Sequence, residues 1–377
     1  MMLRTLPFLL SWLLMGLSGG SVAAAPPVEE IRQLLASRLV PAPSGEALSA
    51  LNPDTLPWAL ESLDPHARFI AEVDYRAPLL GRDAWTGIGA DLVLQGGQIL
   101  LDVYQGGAAE RVGVPDRARL LAIEDTPVDG LTPQEVVTRL RGEAGTQVRV
   151  RLALPDGQPA VATITREAFT PLAVELVAPG EQRVLRVRDF VSGMTRPALL
   201  ATIEFLGRGQ PGGQPPLVVI DLRDALGGDL YEAFDLAGLF VPEGTLLGTL
   251  EGREGARREV RAPAGRKFDM PLALLVGPDT ASAAEVFAGA LQKQGRAVLV
   301  GSTTYGKCSS QTDARLSDGS VLRFTNLEVM LPDGASCSAQ GLLPDVAVDE
   351  RTLNSLPALL ARASEGVAAQ RRQPQVH

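Results

Sequence analysis

Residues 280–285 read Thr-Ala-Ser-Ala-Ala-Glu, and the sequence on either side of them predicts a buried strand, a tight turn and a helix. Residues 271–276 form a short apolar run of the length of a buried strand, and the Gly-Pro-Asp that follows is typical of a turn. Apolar residues then recur at helical spacing, and Gly295 suits the end of the helix. This order places the hydroxyl of Ser282 at a helix N-terminus, where free backbone N–H groups can stabilise an oxyanion.

A serine hydroxyl becomes a good nucleophile when a neighbouring base removes its proton. The sequence contains two histidines, His66 far upstream and His377 at its end, so it offers few candidates for the histidine of a Ser-His-Asp triad. A lysine can act instead if burial lowers its pKa enough for the amine to be neutral. Lys307, which follows the apolar run 297–300 and a glycine-containing turn, is the candidate base.

Gln311 is the candidate partner of this base. If residues 307–311 are extended, Lys307, Ser309 and Gln311 point to one face and the two residues between them to the other, so Gln311 can orient the amine. The alternative is that Ser282 is an ordinary helix N-cap and Lys307 a surface charge, because serine is common at N-caps.

Four sequence blocks resemble the catalytic core of the C-terminal processing peptidases, the S41 family of serine peptidases, also called tail-specific proteases. They are LVVIDLRDALGG (217–228), ASAAEVFAGALQ (281–292), GSTTYGK (301–307) followed by Gln311, and GLLPDV (341–346). The resemblance implies an α/β catalytic core with a mixed, partly parallel sheet of the ClpP/crotonase-like kind, an inserted PDZ domain and N-terminal helices. It implies a serine endopeptidase that needs no cofactor or metal.

The resemblance also implies roles for individual residues. Ser282 corresponds to the nucleophile, Lys307 to the general base and Gln311 to the polar group beside it. The oxyanion donors are, by resemblance, the backbone N–H groups of Ala283 and of one glycine of the pair Gly227-Gly228.

Two positions depart from the family pattern. Lys293 stands where many members carry Asp, but it lies far along the predicted helix from Ser282 and cannot reach the serine or its base. We therefore expect this change to be tolerated. The second departure is Asp224-Ala225-Leu226 in place of Asn-Asn-Pro. It directly precedes the glycine pair, so if the oxyanion geometry differs from that of the family, we expect the difference to lie in this loop.

Residues 84–168 resemble a PDZ domain. Thr132 begins a capping box, and residues 147–154 alternate between apolar and polar. The resemblance implies that N–H groups around Gly87, Ile88 and Gly89 capture the terminal carboxylate of a bound peptide. The alternative is a small β-domain without a ligand.

The N-terminus is predicted to be a signal peptide. It has Arg4, an apolar run at 6–17 and small residues at 22–24, so cleavage is expected after Ala24 and the mature protein is expected in the periplasm. An uncleaved anchor is the alternative, and membrane association is otherwise expected to be at most peripheral. The net charge of -9 and the scattered basic residues argue against nucleic acid as a partner.

Cys308 and Cys337 are the only cysteines of the sequence. Their spacing fits no metal site, and an oxidising compartment would allow them to pair. A disulfide would tie the Lys307 strand to the segment before Gly341, whereas two free thiols are the alternative.

The sequence divides into five predicted regions. They are a signal peptide (1–24), an N-terminal helical region (25–83), a PDZ domain (84–168), a catalytic domain of alternating strands and helices (169–350) and a C-terminal helix and tail (351–377). Apolar spacing predicts helices at 28–39 and 56–63 in the N-terminal region and a single helix at 353–363 near the C-terminus. The turn Asp64-Pro65-His66, which resembles the one that precedes the PDZ domain in the family, is interpreted as structural.

The sequence therefore predicts a Ser-Lys endopeptidase that cleaves exported proteins and recognises unstructured or C-terminal segments. Its partners are protein or peptide substrates with exposed C-termini, and the need for an adaptor or activator protein is left open. One alternative is an inactive PDZ scaffold with an altered 224–226 loop. Another is a hydrolase of small esters, which would leave the PDZ domain unexplained.

Overall fold

A computed structural model of the chain describes residues 26–72, 85–95, 97–177, 183–207 and 216–372. The predicted signal peptide lies outside these residues. Within the described ranges, no helix has both the length and the apolar character that a membrane crossing requires.

The described chain begins with short helices that pack on a strand near the other end of the sequence. In order they are α1 (Val28–Arg38), α2 (Gly45–Ser49) and α3 (Leu56–Leu63), followed by strand β1 (Arg68–Ile70). The helices predicted at 28–39 and 56–63 are confirmed to within one residue. Ile31, Leu35 and Leu60 are fully buried in one cluster with Phe324, so these helices cover a sheet of the following region.

The next segment is rich in β-strand. It comprises β2 (Trp85–Gly87), β3 (Ala90–Gln95), β4 (Gln98–Val103), α4 (Ala108–Arg111), β5 (Ala118–Ile123), β6 (Thr126–Pro127), α5 (Pro133–Leu140), β7 (Gln147–Ala153), β8 (Pro159–Thr165) and β9 (Glu167–Phe169). The main sheet has the order β3-β4-β5-β7-β8, and all its pairings are antiparallel. The capping box of Thr132 and the alternation of β7 are both confirmed.

The remaining elements form two sheets with helices around them. They are β10 (Val174–Val177), β11 (Val184–Val187), α6 (Thr195–Gly207), β12 (Val218–Asp221), α7 (Leu230–Ala237), β13 (Leu246–Glu251), β14 (Arg257–Arg261), β15 (Leu272–Val276), α8 (Ala283–Lys293), β16 (Val298–Gly301), β17 (Ser309–Arg315), β18 (Val321–Met330), β19 (Val346–Ala347), α9 (Glu350–Leu353) and α10 (Leu356–Gln370).

The larger of these sheets has the order β10-β11-β12-β15-β16-β19. Its first pairing is antiparallel and the others are parallel, which confirms a mixed, partly parallel α/β core. The other sheet is antiparallel and combines β1, β13, β14, β17 and β18. Because β1 pairs with β18, the N-terminal segment joins this second sheet.

The single helix predicted for 353–363 is wrong. The structure has two helices, α9 and α10, separated at Asn354 and Ser355. The hydroxyl of Ser355 accepts a hydrogen bond from the N–H of Ala358, and Pro357 stands in the first turn, so a new helix begins here.

Buried charges join the segment 85–169 to the large sheet. Arg188, just after β11, pairs with Asp102 of β4 and with Glu175 of β10, and its Nε lies 3.1 Å from Glu175 Oε1. Its guanidinium also lies 4.7 Å from the ring centre of Tyr104. All three charged side chains are buried, so each depends on the others for compensation.

We expect Arg188→Ala to lower the free energy of unfolding by about 3 to 5 kcal/mol, because it removes the hydrogen-bonded cation of two buried carboxylates and leaves Asp102 only the more distant Arg186, at 3.9 Å. Denaturant unfolding measures this change. Arg149→Ala is the matched control, since Arg149 pairs with Asp125 at the surface and should cost less than about 1 kcal/mol. Equal small losses in the two variants would contradict the structural importance of the buried network.

Candidate active site

Ser282 occupies a strained turn between β15 and α8. Its backbone angles are φ 57° and ψ -123°, a combination that residues with a side chain rarely adopt. The hydroxyl of Thr280, which is fully buried, donates to the carbonyl of Leu222 at 2.8 Å and accepts from the N–H of Gly277 at 2.9 Å. The turn is therefore fixed on both sides, and Ser282 lines a cavity of about 740 Å³.

The glycine pair after β12 packs against this turn. A Cβ atom added to Gly227 would lie 2.7 Å from Cβ of Ser282, and one added to Gly228 would lie 2.4 Å from Oδ1 of Asp189. Both glycines also have positive φ angles, of 116° and 121°. Only glycine fits these two positions, and Gly227 packs directly against Ser282. Ala283 and Gly228 line the cavity as well.

Glu285 connects the turn of Ser282 with the loop of Lys307. Its fully buried carboxylate accepts hydrogen bonds from the backbone N–H groups of Ser282 (3.0 Å), Gly306 (2.7 Å) and Lys307 (2.8 Å), and from the hydroxyl of Thr304. The sequence interpretation gave Glu285 no role. The sequence does contain a pattern that points to this glutamate, because a serine followed three residues later by a glutamate is the signature of a capping box.

Lys307 lies between β16 and β17, and its side chain is half-buried in the cavity that also contains Ser282. Burial lowers the pKa of Lys307, and the positive charge of Arg323 lowers it further, while Asp64 and Glu285 act in the opposite direction. A lower pKa increases the fraction of neutral amine, which is the form that can accept a proton.

The predicted alternation of residues 307–311 is wrong in part. The strand β17 begins at Ser309, so Lys307 precedes it, and Ser310 lines the cavity together with its neighbours Ser309 and Gln311. The pairing of β17 with β18 shifts its register between Ser310 and Gln311, and such a bulge increases the local twist.

Gln311 lies in the same cavity as Lys307. Its amide nitrogen donates to the hydroxyls of Ser309 at 3.0 Å and Thr325 at 3.2 Å. These bonds fix the side chain on the cavity wall. Its action on the amine of Lys307 stays a prediction.

His66 also lines this cavity, a position that the sequence interpretation did not give it. The carboxylate of Asp64 accepts hydrogen bonds from the N–H of His66 at 2.9 Å and from the N–H of Thr325 at 2.7 Å. The pKa of His66 is lowered by burial and then by the charge of Lys307, so the two side chains are neighbours electrostatically. No local sequence pattern predicts the position of His66 in the cavity, because the pairing of β1 with the distant strand β18 brings the turn 64–66 to the cavity.

The loop 224–226, which departs from the family pattern, is held at three points. Asp224 forms an ion pair with Arg117 of the segment 85–169. Ala225 is fully buried, and its carbonyl accepts from the N–H of Ala281 at 2.9 Å. Leu226 points into the cavity. The altered residues thus leave Gly227 packed against Ser282.

Cys308 and Cys337 form a disulfide, with their Cα atoms 5.3 Å apart and both residues buried. It connects the residue after Lys307 to the loop before Gly341. Within the described ranges, one group of metal-ligating residue types comes together, namely Glu285 and these two cysteines. The sulfur atoms are bonded to each other, so this group does not offer a metal site.

Lys293, the other departure, lies in the last turn of α8. Its ammonium forms an ion pair with Asp333 at 2.9 Å. It does not line the cavity that contains Ser282 and Lys307.

A second, smaller cavity of about 70 Å³ lies between β3 and α5. Gly87, Ile88 and Gly89 line it together with Val137 and Leu140. Gly89 has a φ of 72°, and a Cβ atom there would lie 2.7 Å from the backbone of the 107–108 turn. The three residues predicted to bind a peptide terminus are thus adjacent along one groove.

Residues 185–348 match the model of peptidase family S41. A probable CtpA-like serine protease of Staphylococcus aureus (strain bovine RF122 / ET3-1) is 28% identical over 340 residues, which cover 88% of this chain and 66% of the relative. One of Staphylococcus saprophyticus is 27% identical over 335 residues, with coverages of 87% and 66%. The chain thus spans just under two thirds of the length of these relatives.

Solved structures show the same fold. The photosystem II D1 C-terminal processing protease matches with a TM-score of 0.61 and 27% identity, over 91% of this chain and 95% of that one. A putative S41 protease from Bacteroides fragilis NCTC 9343 matches with a TM-score of 0.59, over 91% and 96%, and at 16% identity it supports the fold alone. These matches show that residues 185–348 form a peptidase S41 domain and that the chain is similar to CtpA-like serine proteases and to a C-terminal processing protease of known structure.

Proposed function

We propose that this protein is a serine endopeptidase in which Ser282 is the nucleophile and Lys307 its base. The observation that carries the proposal is the arrangement around Glu285, whose carboxylate binds the backbone of both residues while their side chains line one cavity. The lowered pKa of Lys307 supports its role as a base.

In the proposed reaction, neutral Lys307 takes the hydroxyl proton of Ser282 as the serine oxygen attacks the scissile carbonyl. The N–H groups of Ala283 and of Gly227 or Gly228 bind the oxyanion. The protonated lysine then donates its proton to the leaving amine, and water hydrolyses the acyl-enzyme with Lys307 again as base. Gln311 holds the amine in position.

The segment 84–168 is proposed to be a PDZ domain inserted between the N-terminal helices and a ClpP/crotonase-like catalytic domain at 169–350. Its groove between β3 and α5 binds the C-terminus of a substrate as an added strand, with N–H groups of Gly87, Ile88 and Gly89 on the carboxylate. Substrates are then unstructured or C-terminal segments of exported proteins. We further propose the periplasm as the location, after removal of residues 1–24.

Ser282→Ala and Lys307→Ala should each lower the cleavage rate by at least about 10³-fold, because either change removes a partner of the same proton transfer. The assay is degradation of an unfolded protein with an apolar C-terminus by the mature enzyme. Lys293→Ala is the matched lysine control and should cleave like the parent, since Lys293 lies outside the cavity.

A Lys307→Ala variant as active as the parent would contradict the assigned base. If the parent and both variants fail to cleave, the inactive PDZ scaffold gains support, or an activating partner is missing. If the parent then binds C-terminal peptides, the protein is folded, and a misfolded preparation is excluded as the reason for the missing cleavage.

Cleavage should accelerate as the pH rises above neutrality and reach a plateau at a lower pH than an ordinary lysine, with its pKa of 10.5, would give. The amine of Lys307 is inactive while protonated, so raising the pH through its lowered pKa increases the active fraction. Arg323→Gln removes a neighbouring positive charge and should shift the midpoint of the pH–rate profile upward. Arg315→Gln, on the neighbouring strand, should leave it in place. A profile that falls above neutrality would exclude Lys307 as the base.

Val137→Asp should weaken binding of a peptide with a free C-terminus by at least about tenfold, because it adds a negative charge to an apolar groove that is proposed to hold a carboxylate. Fluorescence anisotropy in the Ser282→Ala background measures binding without cleavage. Val112→Asp is the control at an exposed valine outside the groove. Equal affinity for the free and the C-terminally amidated peptide would contradict carboxylate capture.

A further inference from the structure

Apolar side chains of the segment 226–231 line the cavity that contains Ser282, and two of them are unusually exposed. Leu226 is 72% exposed and Tyr231 is 49% exposed, and half-buried Leu230 lies beside them. Other parts of the wall carry polar and charged groups, such as Arg68 and Gln311. Neighbouring exposed apolar side chains in a concave site indicate a surface that a ligand covers.

Leu226 is held close to the proposed nucleophile. It directly precedes Gly227, whose backbone is in contact with Ser282. Its other neighbour, Ala225, is fully buried, and the ion pair of Asp224 with Arg117 fixes the start of the loop. The exposed side chain thus projects from a backbone that is fixed on both sides.

Tyr231 is fixed as well. The guanidinium of Arg258 on β14 lies 5.2 Å from the centre of the tyrosine ring and also donates to its hydroxyl. A ring held in this way loses little conformational entropy when a ligand packs on it, so it is suited to bind an apolar group.

We propose that Leu226 and Tyr231 form a subsite that selects substrates with a large apolar side chain, such as leucine or phenylalanine, next to the scissile bond. The occupant is inferred from the shared cavity: Leu226, Tyr231 and Ser282 all line it, so a peptide with its scissile bond at the serine can place a flanking side chain against Leu226 and Tyr231. Leu226 stands where the family pattern has Pro, so the selection belongs to this chain. The inference rests on the proposed peptidase function.

The test uses unstructured peptides that differ only in carrying Leu or Ser at one of the two residues flanking the scissile bond, with the cleavage site mapped by mass spectrometry. For the parent we expect a ratio of kcat/KM for Leu over Ser of about tenfold or more at one of these positions, the usual size for an apolar pocket. Leu226→Ser should reduce this ratio to near unity, whereas Leu226→Met should retain it. Because the ratio compares two peptides with the same enzyme, a general loss of activity cancels.

Leu343→Ser is the matched control, since Leu343 is 71% exposed and does not line the cavity. It should leave the ratio unchanged. A parent that cleaves without preference, or a Leu226→Ser variant that keeps the preference, would overturn the subsite while the peptidase function stands. A parent that cleaves none of the peptides, nor the unfolded protein, would instead overturn the proposed function.

Discussion

The carboxylate of Glu285 is the interaction on which the site depends. A buried carboxylate is costly unless hydrogen bonds replace its water, and here the donors come from the turn of Ser282 and from residues 304–307. The backbone N–H groups of these loops depend on the carboxylate in turn, because without Glu285 they would lack this hydrogen-bond acceptor. One side chain thus binds the backbone of both Ser282 and Lys307.

Around this centre, two sheets bring together residues that are distant in the sequence. The parallel strands β12 and β15 end side by side, which places the glycine pair against the turn of Ser282. In the antiparallel sheet, β18 pairs with both β1 and β17. Its Thr325 accepts a hydrogen bond from Gln311 and donates its N–H to Asp64, whose carboxylate also accepts from the N–H of His66. One sheet therefore supplies Ser282 and its backbone partners, and the other supplies the surroundings of Lys307.

The sequence predicted those features that depend on neighbouring residues. The strand, turn and helix around Ser282, the capping box at Thr132 and the alternation of β7 follow from local periodicity and turn chemistry. It did not predict the place of His66 in the cavity or the buried network of Arg188, because both arise from pairing between distant strands. The inward position of Ser310 was missed for a related reason, since a bulge in a ladder depends on the partner strand.

The backbone of Ser282 adds a consequence for the life of the chain before it is folded. Its positive φ angle is unfavourable by about 1 to 3 kcal/mol and persists only where the surrounding structure enforces it. The enforcing contacts come from the glycine pair, Thr280 and Glu285, which meet only when the tertiary structure is complete. A newly made or partly unfolded chain therefore lacks the serine geometry altogether, and whatever reactivity Ser282 has is withheld from the chain's own exposed segments until they are packed away.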